Sequence, residues 1–503
     1  MIQAALCEVV QLRVAGGKSV DHLEVILMPL SDELYFAPAY KLLSMLTARE
    51  ISSTELTRIF YDRIHKVNPR LNAVVTLCEE RALREAAESD RRLSAKRGIR
   101  PLEGLPITIK ECICTAGVRS TDGMKILEHN VPERDAPAVA RYRQAGAVMI
   151  GKTNIPEMAM DYDCENPVFG ATSNPWNPGR VPGGSSGGEA AALAAGLCGL
   201  GLGSDYGGSI RVPAHFSGVV GLKPTWGTIP GSGHLFGPFD PFTPGPPPIV
   251  SMATIGPMAR YVDDLTLAYN ILRGPEPTSP YTVPSNEARP ETLDLKKVRC
   301  ALFTDGGGVP VSGEIRAAIE QAGKALQKAG VEVEEAMPPI QRAAELWWLY
   351  ATADGGQPLN EAMADKVNLS RPRLRQFLWP QPSKSAAEFF GIAIQRDMFR
   401  IELANFMERY PIIICAPFCV TAFEHGALEV DIDGSKCPLF EANWPALWVN
   451  CAALPAAVVS AGRGTDGLPI GVQVVGRAFG EETVLAIAKA LEGELGGFQR
   501  PPL

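Results

Sequence analysis

Two glycine–serine segments, GGSSGG at residues 183–188 and GSDYGGSIRVP at residues 203–213, decide how this sequence is interpreted. Between them runs EAAALAAGL (189–197), whose small side chains predict a helix that packs closely against a neighbour. Because glycine has no Cβ, such segments let the backbone approach a substrate or another strand closely. One Gly-Gly-Ser is usually a turn, but two such frames joined by a helix direct attention to Ser185 and Ser209.

Upstream of these segments, helix and strand patterns alternate. Ser53 begins a helix with one apolar face, and Pro69 is predicted to stop it. LPITIK (105–110) is a short β-rich run that ends in a lysine. Residues 135–146 are predicted to be helical, and AVMI (147–150) is predicted to be a buried strand. This alternation predicts the α/β class.

Downstream, strands are predicted at 298–303 and 331–335 on either side of a helix at 313–329. The chain returns to a strand, LPIGVQVVG, at 468–476, and a final helix is predicted at 480–492. These elements extend the same α/β pattern to the end of the chain.

The domain organisation is predicted to be simple. Residues 1–34 lack periodicity and are interpreted as an N-terminal extension, and residues 35–503 as one domain without a linker. Residues 340–409 are predicted to be a mostly helical insertion near the active site. Residues 229–257, rich in Pro, Gly and Phe, are predicted to be a long surface loop of the kind that often borders sites.

Composition excludes several classes of protein. The net charge is −8 over 503 residues, so a basic nucleic-acid surface is not expected. Eleven cysteines, an odd number, do not predict a disulfide framework and favour a reducing compartment, with the cytoplasm as the expected location. The pairs Cys112/Cys114 and Cys415/Cys419 lack the partners of a zinc site. The apolar stretch 190–202 is too short to span a bilayer.

Two short motifs allow other interpretations. Residues 146–153, GAVMIGKT, match the P-loop pattern of nucleotide-binding proteins, but the apolar middle predicts a strand followed by a turn. Residues 183–187, GGSSG, match the nucleophile elbow of Ser-His-Asp hydrolases. No strand precedes that elbow, and the downstream histidines are assigned to structure or surface rather than catalysis; they are His215, His234 and His425. A nucleotide-binding protein remains the alternative from another class.

The chemistry of amide cleavage requires an activated nucleophile and donors for an oxyanion. The backbone N–H groups of residues 206–209, Tyr-Gly-Gly-Ser, are candidates for those donors. Lys110, at the end of an apolar strand, is placed to lose its proton through burial. A serine between that lysine and the nucleophile would pass protons in both directions.

The segments PITIKE (106–111), GGSSGGE (183–189) and GSDYGGSIRVPA (203–214) resemble the signature of the amidase signature family. GKTNIPEMAMDYDCENPVFGATSNPWNP (151–178), GVVGLKPTWG (218–227) and LPIGVQVVG (468–476) are also typical of it. The resemblance covers the chain from about residue 35 onward. It implies a large twisted mixed β-sheet with helices on both sides.

By that resemblance, Lys110 is the base, Ser185 the serine that follows a cis peptide bond, and Ser209 the nucleophile. The resemblance implies an oxyanion hole from the N–H groups of Tyr206, Gly207, Gly208 and Ser209. It gives supporting positions to Ser186, Asp205 and Arg211. No metal and no organic cofactor is implied.

The substrate is expected to be a small hydrophobic or aryl amide. The DYDCENPVFG segment and Glu189 resemble the branch of fatty acid amide hydrolase, aryl acylamidases and urethanases. Ala159, Met160 and Tyr162 match a pocket-lining stretch, and residues 229–250 with Trp347–Tyr350 are candidate pocket walls.

Three alternatives within the family stay open: a urethanase (carbamate hydrolase), an ester hydrolase, or the glutamine-hydrolysing subunit of a tRNA amidotransferase. The expected partner is therefore a small-molecule amide or carbamate. We expect neither a nucleic-acid partner nor a membrane-spanning segment. The oligomeric state stays open, with a homodimer as one alternative.

Overall fold

The computed structural model describes residues 30–243, 245, 247–378 and 382–503. Residues 35–503 form a compact unit. The predicted N-terminal extension, residues 1–34, lies almost entirely outside the described residues.

Strands and helices alternate along most of the described chain. In chain order the strands are β1 (Val74–Leu77), β2 (Pro106–Lys110), β3 (Val148–Thr153), β4 (Glu165–Asn166), β5 (Gly170–Ala171), β6 (Leu200–Asp205), β7 (Val220–Lys223), β8 (Thr254–Ala259), β9 (Arg299–Leu302), β10 (Glu332–Glu335), β11 (Ile412–Cys415), β12 (Glu429–Ile432), β13 (Ser435–Pro438), β14 (Ala456–Arg463) and β15 (Pro469–Gly476). The helices are α1 (Leu30–Phe36), α2 (Ala39–Ala48), α3 (Ser53–Leu71), α4 (Glu79–Ala95), α5 (Pro137–Gln144), α6 (Gly187–Ala194), α7 (Arg211–Ser217), α8 (Pro247–Val250), α9 (Val262–Leu272), α10 (Gly313–Lys328), α11 (Ala343–Ala351), α12 (Gln357–Met363), α13 (Pro372–Leu378), α14 (Ala386–Arg409), α15 (Trp444–Cys451) and α16 (Glu481–Leu495).

One 11-stranded sheet organises the fold, in the order β1-β3-β2-β6-β8-β7-β14-β15-β11-β9-β10. It is mixed: β2 runs parallel to β3 and β6, whereas β8 runs antiparallel to β6 and β7. Helices flank the sheet, and its central strands β2, β6 and β8 are buried along their whole length, as expected for strands covered on both faces. The predicted α/β class with a large mixed sheet is confirmed.

Local sequence explains where several elements begin. Helix α3 starts at a capping box, in which the Ser52 hydroxyl accepts from the Glu55 N–H and the Glu55 carboxylate accepts from the Ser52 N–H. The prediction that Pro69 ends this helix is wrong by two residues. Proline removes only one donor in the last turn, and the helix continues to Leu71, where a left-handed Asn72 caps it.

The prediction of a loop over residues 229–257 is wrong for the last four residues. Residues 254–257 belong to β8, which is buried in the middle of the sheet between β6 and β7. Strand propensity does not predict β8, because it contains Gly256 and Pro257 and both residue types are depleted in central strands. The long loop therefore leads directly from the surface into the sheet beside β6.

Candidate active site

The carboxyl ends of β2 and β6 meet at one edge of the sheet. The two strands are parallel neighbours with Ile109 opposite Leu202, so Lys110 at the end of β2 lies beside Ser204 and Asp205 at the end of β6. In open α/β sheets, sites form beyond the carboxyl ends of parallel strands. The lysine and the second glycine–serine segment are therefore brought together by sheet register.

Three oxygen atoms surround the amine of Lys110. Its Nζ lies 2.6 Å from Ser185 Oγ, 2.9 Å from Ser204 Oγ and 3.3 Å from the Ser204 carbonyl oxygen. The side chain is completely buried. Burial lowers the pKa of Lys110, because the low-dielectric surroundings disfavour the ammonium form.

The first glycine–serine segment packs directly against the second. The Gly184–Ser185 peptide bond is cis. The Ser186 N–H donates to the Ser209 carbonyl oxygen at 3.0 Å, and the Ser186 hydroxyl donates to the Ser204 carbonyl oxygen at 3.2 Å. The structure thus brings Lys110, Ser185 and the backbone of Ser209 together. Ser209 is 9 % exposed and Ser185 is 1 % exposed.

The backbone N–H groups of residues 206–209 differ in their partners. That of Gly208 donates to Asp205 Oδ1 at 2.9 Å, whereas those of Tyr206, Gly207 and Ser209 meet no acceptor within the described part of the chain. Gly208 has φ +102°, and a Cβ at that position would lie 2.9 Å from the Ala446 side chain. This conformation explains why the position is glycine.

A buried ion pair anchors the same loop. Asp205 and Arg211 are both fully buried, and their side chains make two contacts of 2.9 and 3.0 Å. Burial alone would raise the pKa of the Asp205 carboxyl, but the Arg211 guanidinium holds that pKa below its usual range. Asn450 and Gln473 complete the network around the guanidinium.

A cavity of about 490 Å³ opens beside this site. Its lining is mostly apolar and aromatic and includes Met158, Met160, Trp226, Phe236, Trp347 and Leu359. Tyr206 and His234 connect the cavity to the site, whereas Lys110, Ser185 and Ser209 are not among its lining residues. The residues of the predicted loop from Ile229 to Val250 form much of its wall.

Only one of the three residues predicted to bind substrate, Met160, lines the cavity. Met160 lines the cavity, whereas Ala159 and Tyr162 are half-buried and are not part of its lining. The Tyr162 ring instead packs edge-on against Phe418, with centroids 5.8 Å apart. Trp347 lines the cavity as predicted for a wall residue, but Tyr350 does not.

The P-loop match is a strand. Gly151, Lys152 and Thr153 continue β3, where a turn was predicted after residue 150. The Lys152 amine is fully buried; it donates to the Ile113 carbonyl oxygen and to Ser120 Oγ at 3.0 Å. No phosphate-binding loop that leads into a helix exists at this position.

The three histidines considered for a Ser-His-Asp triad lie in different places. His215 is buried and contacts the Val420 carbonyl oxygen, and His425 lies 2.9 Å from Asp163 Oδ1. His234 Nε2 lies 2.7 Å from Ser204 Oγ. Within the described residues, none of these rings hydrogen-bonds to Ser185 or Ser209.

Sequence reasoning missed two side-chain contacts to the backbone of the site, one of them from Trp347, which it predicts only as a pocket wall. Trp347 Nε1–H donates to the Tyr206 carbonyl oxygen at 3.1 Å, and Asn443 Nδ2 donates to the Gly207 carbonyl oxygen at 2.8 Å. Both come from segments more than 130 residues away, so no local pattern could have indicated them. Ser204 lies in the segment GSDYGGSIRVP (203–213). Its position five residues before Ser209 is the only sequence signal that its side chain lies near the site.

Across residues 30–243, 245, 247–378 and 382–503, no group of three or more His, Cys, Asp or Glu side chains is arranged to hold a metal ion. No helix in these ranges is long and apolar enough to cross a bilayer.

Known proteins resemble this chain over nearly its whole length. The amidase family model matches residues 55–485. One subunit of the glutamyl-tRNA(Gln) amidotransferase of Thermosynechococcus vestitus is 35% identical over 486 residues, which cover 91% of this chain and 98% of that protein. A bacterial aryl acylamidase of the amidase signature enzymes superposes with a TM-score of 0.81 at 25% identity, covering 92% of this chain and 96% of the other. A fatty acid amide hydrolase superposes with a TM-score of 0.80 at 25% identity, covering 93% and 87%.

These matches do not single out the fatty acid amide hydrolase branch, because the amidotransferase subunit is the more similar in sequence. They do confirm the prediction of an amide-cleaving enzyme. The sheet, the two glycine–serine segments and the extent of the family match lead to one conclusion: the chain belongs to the amidase signature family.

Proposed function

We propose that this protein is a free-standing hydrolase of hydrophobic or aryl amides that forms an acyl-enzyme on Ser209. Ser185 is the proton relay and Lys110 is the base. The proposal is supported by the 2.6 Å contact between Lys110 Nζ and Ser185 Oγ, and by the backbone hydrogen bond that joins Ser186 to Ser209.

The first half of the reaction forms the acyl-enzyme. Neutral Lys110 accepts the hydroxyl proton of Ser185, which accepts that of Ser209 as Ser209 Oγ attacks the amide carbon. The C–N bond then breaks while the proton returns through Ser185 to the leaving nitrogen. Burial favours this chemistry, because it lowers the pKa of Lys110 and increases the neutral fraction.

The second half regenerates the enzyme. Water adds to the ester carbon of acyl-Ser209 and gives its proton to Lys110 through the same relay. The acid leaves as the proton returns to Ser209 Oγ. The proton that Ser209 loses leaves on the amine and is replaced by one from water in the second half, while Ser185 and Lys110 are restored within each half, so no additional group is required.

The oxyanion is proposed to form beside residues 206–209. The N–H groups of Tyr206, Gly207 and Ser209 have no acceptor within the described residues and are therefore available to the developing charge. The Gly208 N–H already donates to Asp205, which makes it the weakest candidate of the four. Ser186, Asp205 and Arg211 support the loop, through the contacts described above, and do not touch substrate.

The apolar cavity is the single observation that carries the choice of substrate. Its lining is predominantly aromatic and aliphatic and holds no lysine or arginine among the described residues. Cavities of this kind bind apolar ligands, with a few polar groups fixing orientation. A hydrophobic acyl or aryl group would occupy it while the scissile carbonyl lies at Tyr206. Carbamates and esters with the same apolar groups are also expected substrates, since the acylation step is the same.

A glutamine-hydrolysing amidotransferase subunit is the second candidate function. Sequence favours it, since the amidotransferase relative from Thermosynechococcus vestitus is 35% identical over 91% of this chain. Free glutamine carries a carboxylate, which usually requires an arginine, a lysine or a helix N-terminus. The described lining of the cavity includes the start of α12 at Gly356 and Pro358 but supplies neither cation, which is why we place this function second.

Chromophore release tests both functions. Matched p-nitroanilides, p-nitrophenyl esters and p-nitrophenyl carbamates with short and long acyl chains would be compared with glutamine, for wild type and Ser209→Ala. We expect cleavage of long-chain or aryl anilides by wild type and loss of at least about 10³-fold in Ser209→Ala. The matched control is Ser217→Ala, at a buried serine whose hydroxyl donates to the Pro182 carbonyl oxygen. Turnover of glutamine alone would favour the second candidate, and full activity of Ser209→Ala would exclude the proposed nucleophile.

A further inference from the structure

The amine of Lys110 has a second hydroxyl partner that leads to a histidine. Ser204 Oγ lies 2.9 Å from Lys110 Nζ and 2.7 Å from His234 Nε2. Ser185, Lys110, Ser204 and His234 therefore form a continuous hydrogen-bonded row. All four side chains are buried, so water does not compete strongly for these contacts.

The tautomer of His234 follows from its other nitrogen. Nδ1 lies 2.7 Å from the Leu235 carbonyl oxygen, which can only accept, so Nδ1 carries the hydrogen. Burial lowers the pKa of His234 to about 3, and the neutral ring has its lone pair on Nε2. The Ser204 hydroxyl is the nearer donor to that lone pair. The thiol of Cys112, at 3.3 Å, is more distant and is a weaker donor.

This tautomer fixes the direction of the contacts at Lys110. Because the Ser204 hydroxyl donates to His234, its oxygen accepts from Lys110 Nζ. The Ser204 carbonyl oxygen can also only accept. A neutral amine has two N–H groups and one lone pair, and both N–H groups are occupied by Ser204. The lone pair is left facing Ser185 Oγ, which is the orientation a base requires.

We propose that His234 is a positioning residue for Lys110: through the Ser204 hydroxyl it holds the two N–H groups of the amine and directs the lone pair to Ser185. The inference rests on the proposed function, because it assigns His234 a part in that proton relay. Without an acceptor at Nε2, the Ser204 hydroxyl could itself donate to the lone pair. Ser204 would then compete with Ser185 for the base.

Backbone pairing secures the position of His234. The Leu235 N–H donates to the Cys112 carbonyl oxygen at 2.9 Å, and the Cys114 N–H donates to the Gly233 carbonyl oxygen at 2.8 Å. The imidazole also stacks on Phe236, with ring centroids 4.3 Å apart. Residues 112–114, after β2, and residues 233–235, in the wall of the cavity, are thereby paired, which places the cavity-lining His234 two hydrogen bonds from the proposed base.

The test compares two substitutions at one position. His234→Leu removes the acceptor, whereas His234→Gln can present an amide oxygen near the place of Nε2. For a p-nitroanilide we expect His234→Leu to lower kcat by about tenfold, the value of one oriented hydrogen bond, and His234→Gln to recover most of it. The matched p-nitrophenyl ester should lose less than about threefold, since phenolate leaves without a proton and needs less of the relay.

Ser204→Ala supplies the independent test. It should reproduce the anilide-selective loss with His234 intact, and the double variant with His234→Leu should be no slower than either single variant. Equal losses for anilide and ester, additive losses in the double variant, or wild-type rates in Ser204→Ala would overturn the inference. Ser204→Ala and His234→Gln carry the test if His234→Leu does not fold.

Labelling of Ser209 by a fluorophosphonate separates this inference from the proposed function. The reaction needs an activated serine but no particular substrate. If wild type is labelled but cleaves none of the amides, the proposed substrate class is wrong, while slower labelling of Ser204→Ala and His234→Leu by about twofold, the small loss also expected for the ester because fluoride leaves without a proton, still supports the role of His234. Equal labelling rates in wild type and both variants would overturn that role.

Discussion

Trp347 and Tyr206 are joined twice. The indole Nε1–H of Trp347 donates to the carbonyl oxygen of Tyr206 at 3.1 Å, and the two rings lie with centroids 5.0 Å apart. In a trans peptide the N–H of the next residue points opposite to that carbonyl, so the contact turns the Gly207 N–H away from Trp347. A wall residue of the apolar cavity thus controls the orientation of a candidate oxyanion donor.

Replacing Trp347 by phenylalanine tests this relationship. The variant keeps an aromatic wall but loses the N–H donor, so the Tyr206–Gly207 peptide can rotate. We expect kcat for a p-nitroanilide to fall by roughly three- to tenfold with a smaller change in KM. Steady-state kinetics on wild type and variant provide the measurement.

Trp176→Phe is the matched control for that experiment. Its Nε1–H donates to the Ser217 carbonyl oxygen at 3.0 Å, and the residue is not part of the cavity lining. It should leave kcat unchanged within about twofold. Equal losses in the two variants would show that the effect of Trp347 is on stability and not on the oxyanion loop.

The pH dependence of activity should report Lys110. The base must be neutral, so kcat/KM rises as pH increases through an apparent pKa below the ordinary lysine value of 10.5, in the direction burial imposes. Lys110→Ala should abolish this limb together with most of the activity. A pH–rate profile of kcat/KM with a neutral substrate is the measurement.

A second buried lysine provides the control for the pH profile. Burial, reinforced by the nearby Arg211 charge, lowers the pKa of Lys223 to about 7, and its Nζ donates to the Pro224 carbonyl oxygen at 3.0 Å. Lys223→Met should retain the rising limb. Disappearance of the limb in this variant would assign it to Lys223 instead of Lys110.

The parts of the site that depend on local sequence patterns could be predicted, and the parts that depend on tertiary packing could not. Lys110 and the residues of the two glycine–serine segments were identified because strand propensity and glycine spacing are local signals. The segment 254–257 was missed because Gly256 and Pro257 argue against a central strand, although antiparallel pairing with β6 accommodates both. Tertiary packing overrode propensity there.

The roles proposed for His234 and Trp347 have no local signal in the sequence. The sequence indicates only a structural or surface histidine at His234, since a histidine in a loop has no periodic pattern that marks a partner. Trp347 was considered only as a wall of the pocket. In both cases the deciding atom, Ser204 Oγ or the Tyr206 carbonyl oxygen, lies 30 or more residues away in sequence.

Asp205 should be required for stability as well as for the loop. Asp205→Asn leaves the Arg211 guanidinium buried without its counter-charge, and we expect a loss of roughly 3–5 kcal/mol in the free energy of unfolding. Because the folded-state pKa is depressed, the stabilisation is present above the unfolded value of about 3.9 and is lost as pH falls below it. Urea unfolding at pH 7 is the measurement.

An exposed ion pair is the control for that stability measurement. Asp263 lies 2.8 Å from Lys489, and both side chains are about half exposed. Asp263→Asn should cost no more than about 1 kcal/mol. Comparable losses at the two positions would contradict the importance assigned to the buried pair.

Glu189, which follows GGSSGG, should make the protein less stable at neutral pH than at acidic pH. Its carboxyl is fully buried and accepts from the hydroxyls of Thr108 and Thr153, and burial raises its pKa from 4.5 to about 7. A raised acid pKa means that the folded state retains a proton that the unfolded state has lost. Stability therefore falls as pH rises from about 4.5 to 7, by on the order of 3 kcal/mol, and is constant above that range.

Glu189→Gln stays neutral, so its free energy of unfolding should decline less between pH 5 and pH 8 than that of wild type in parallel urea titrations. The same decline in both proteins would mean that Glu189 is already ionised in the folded state at pH 5.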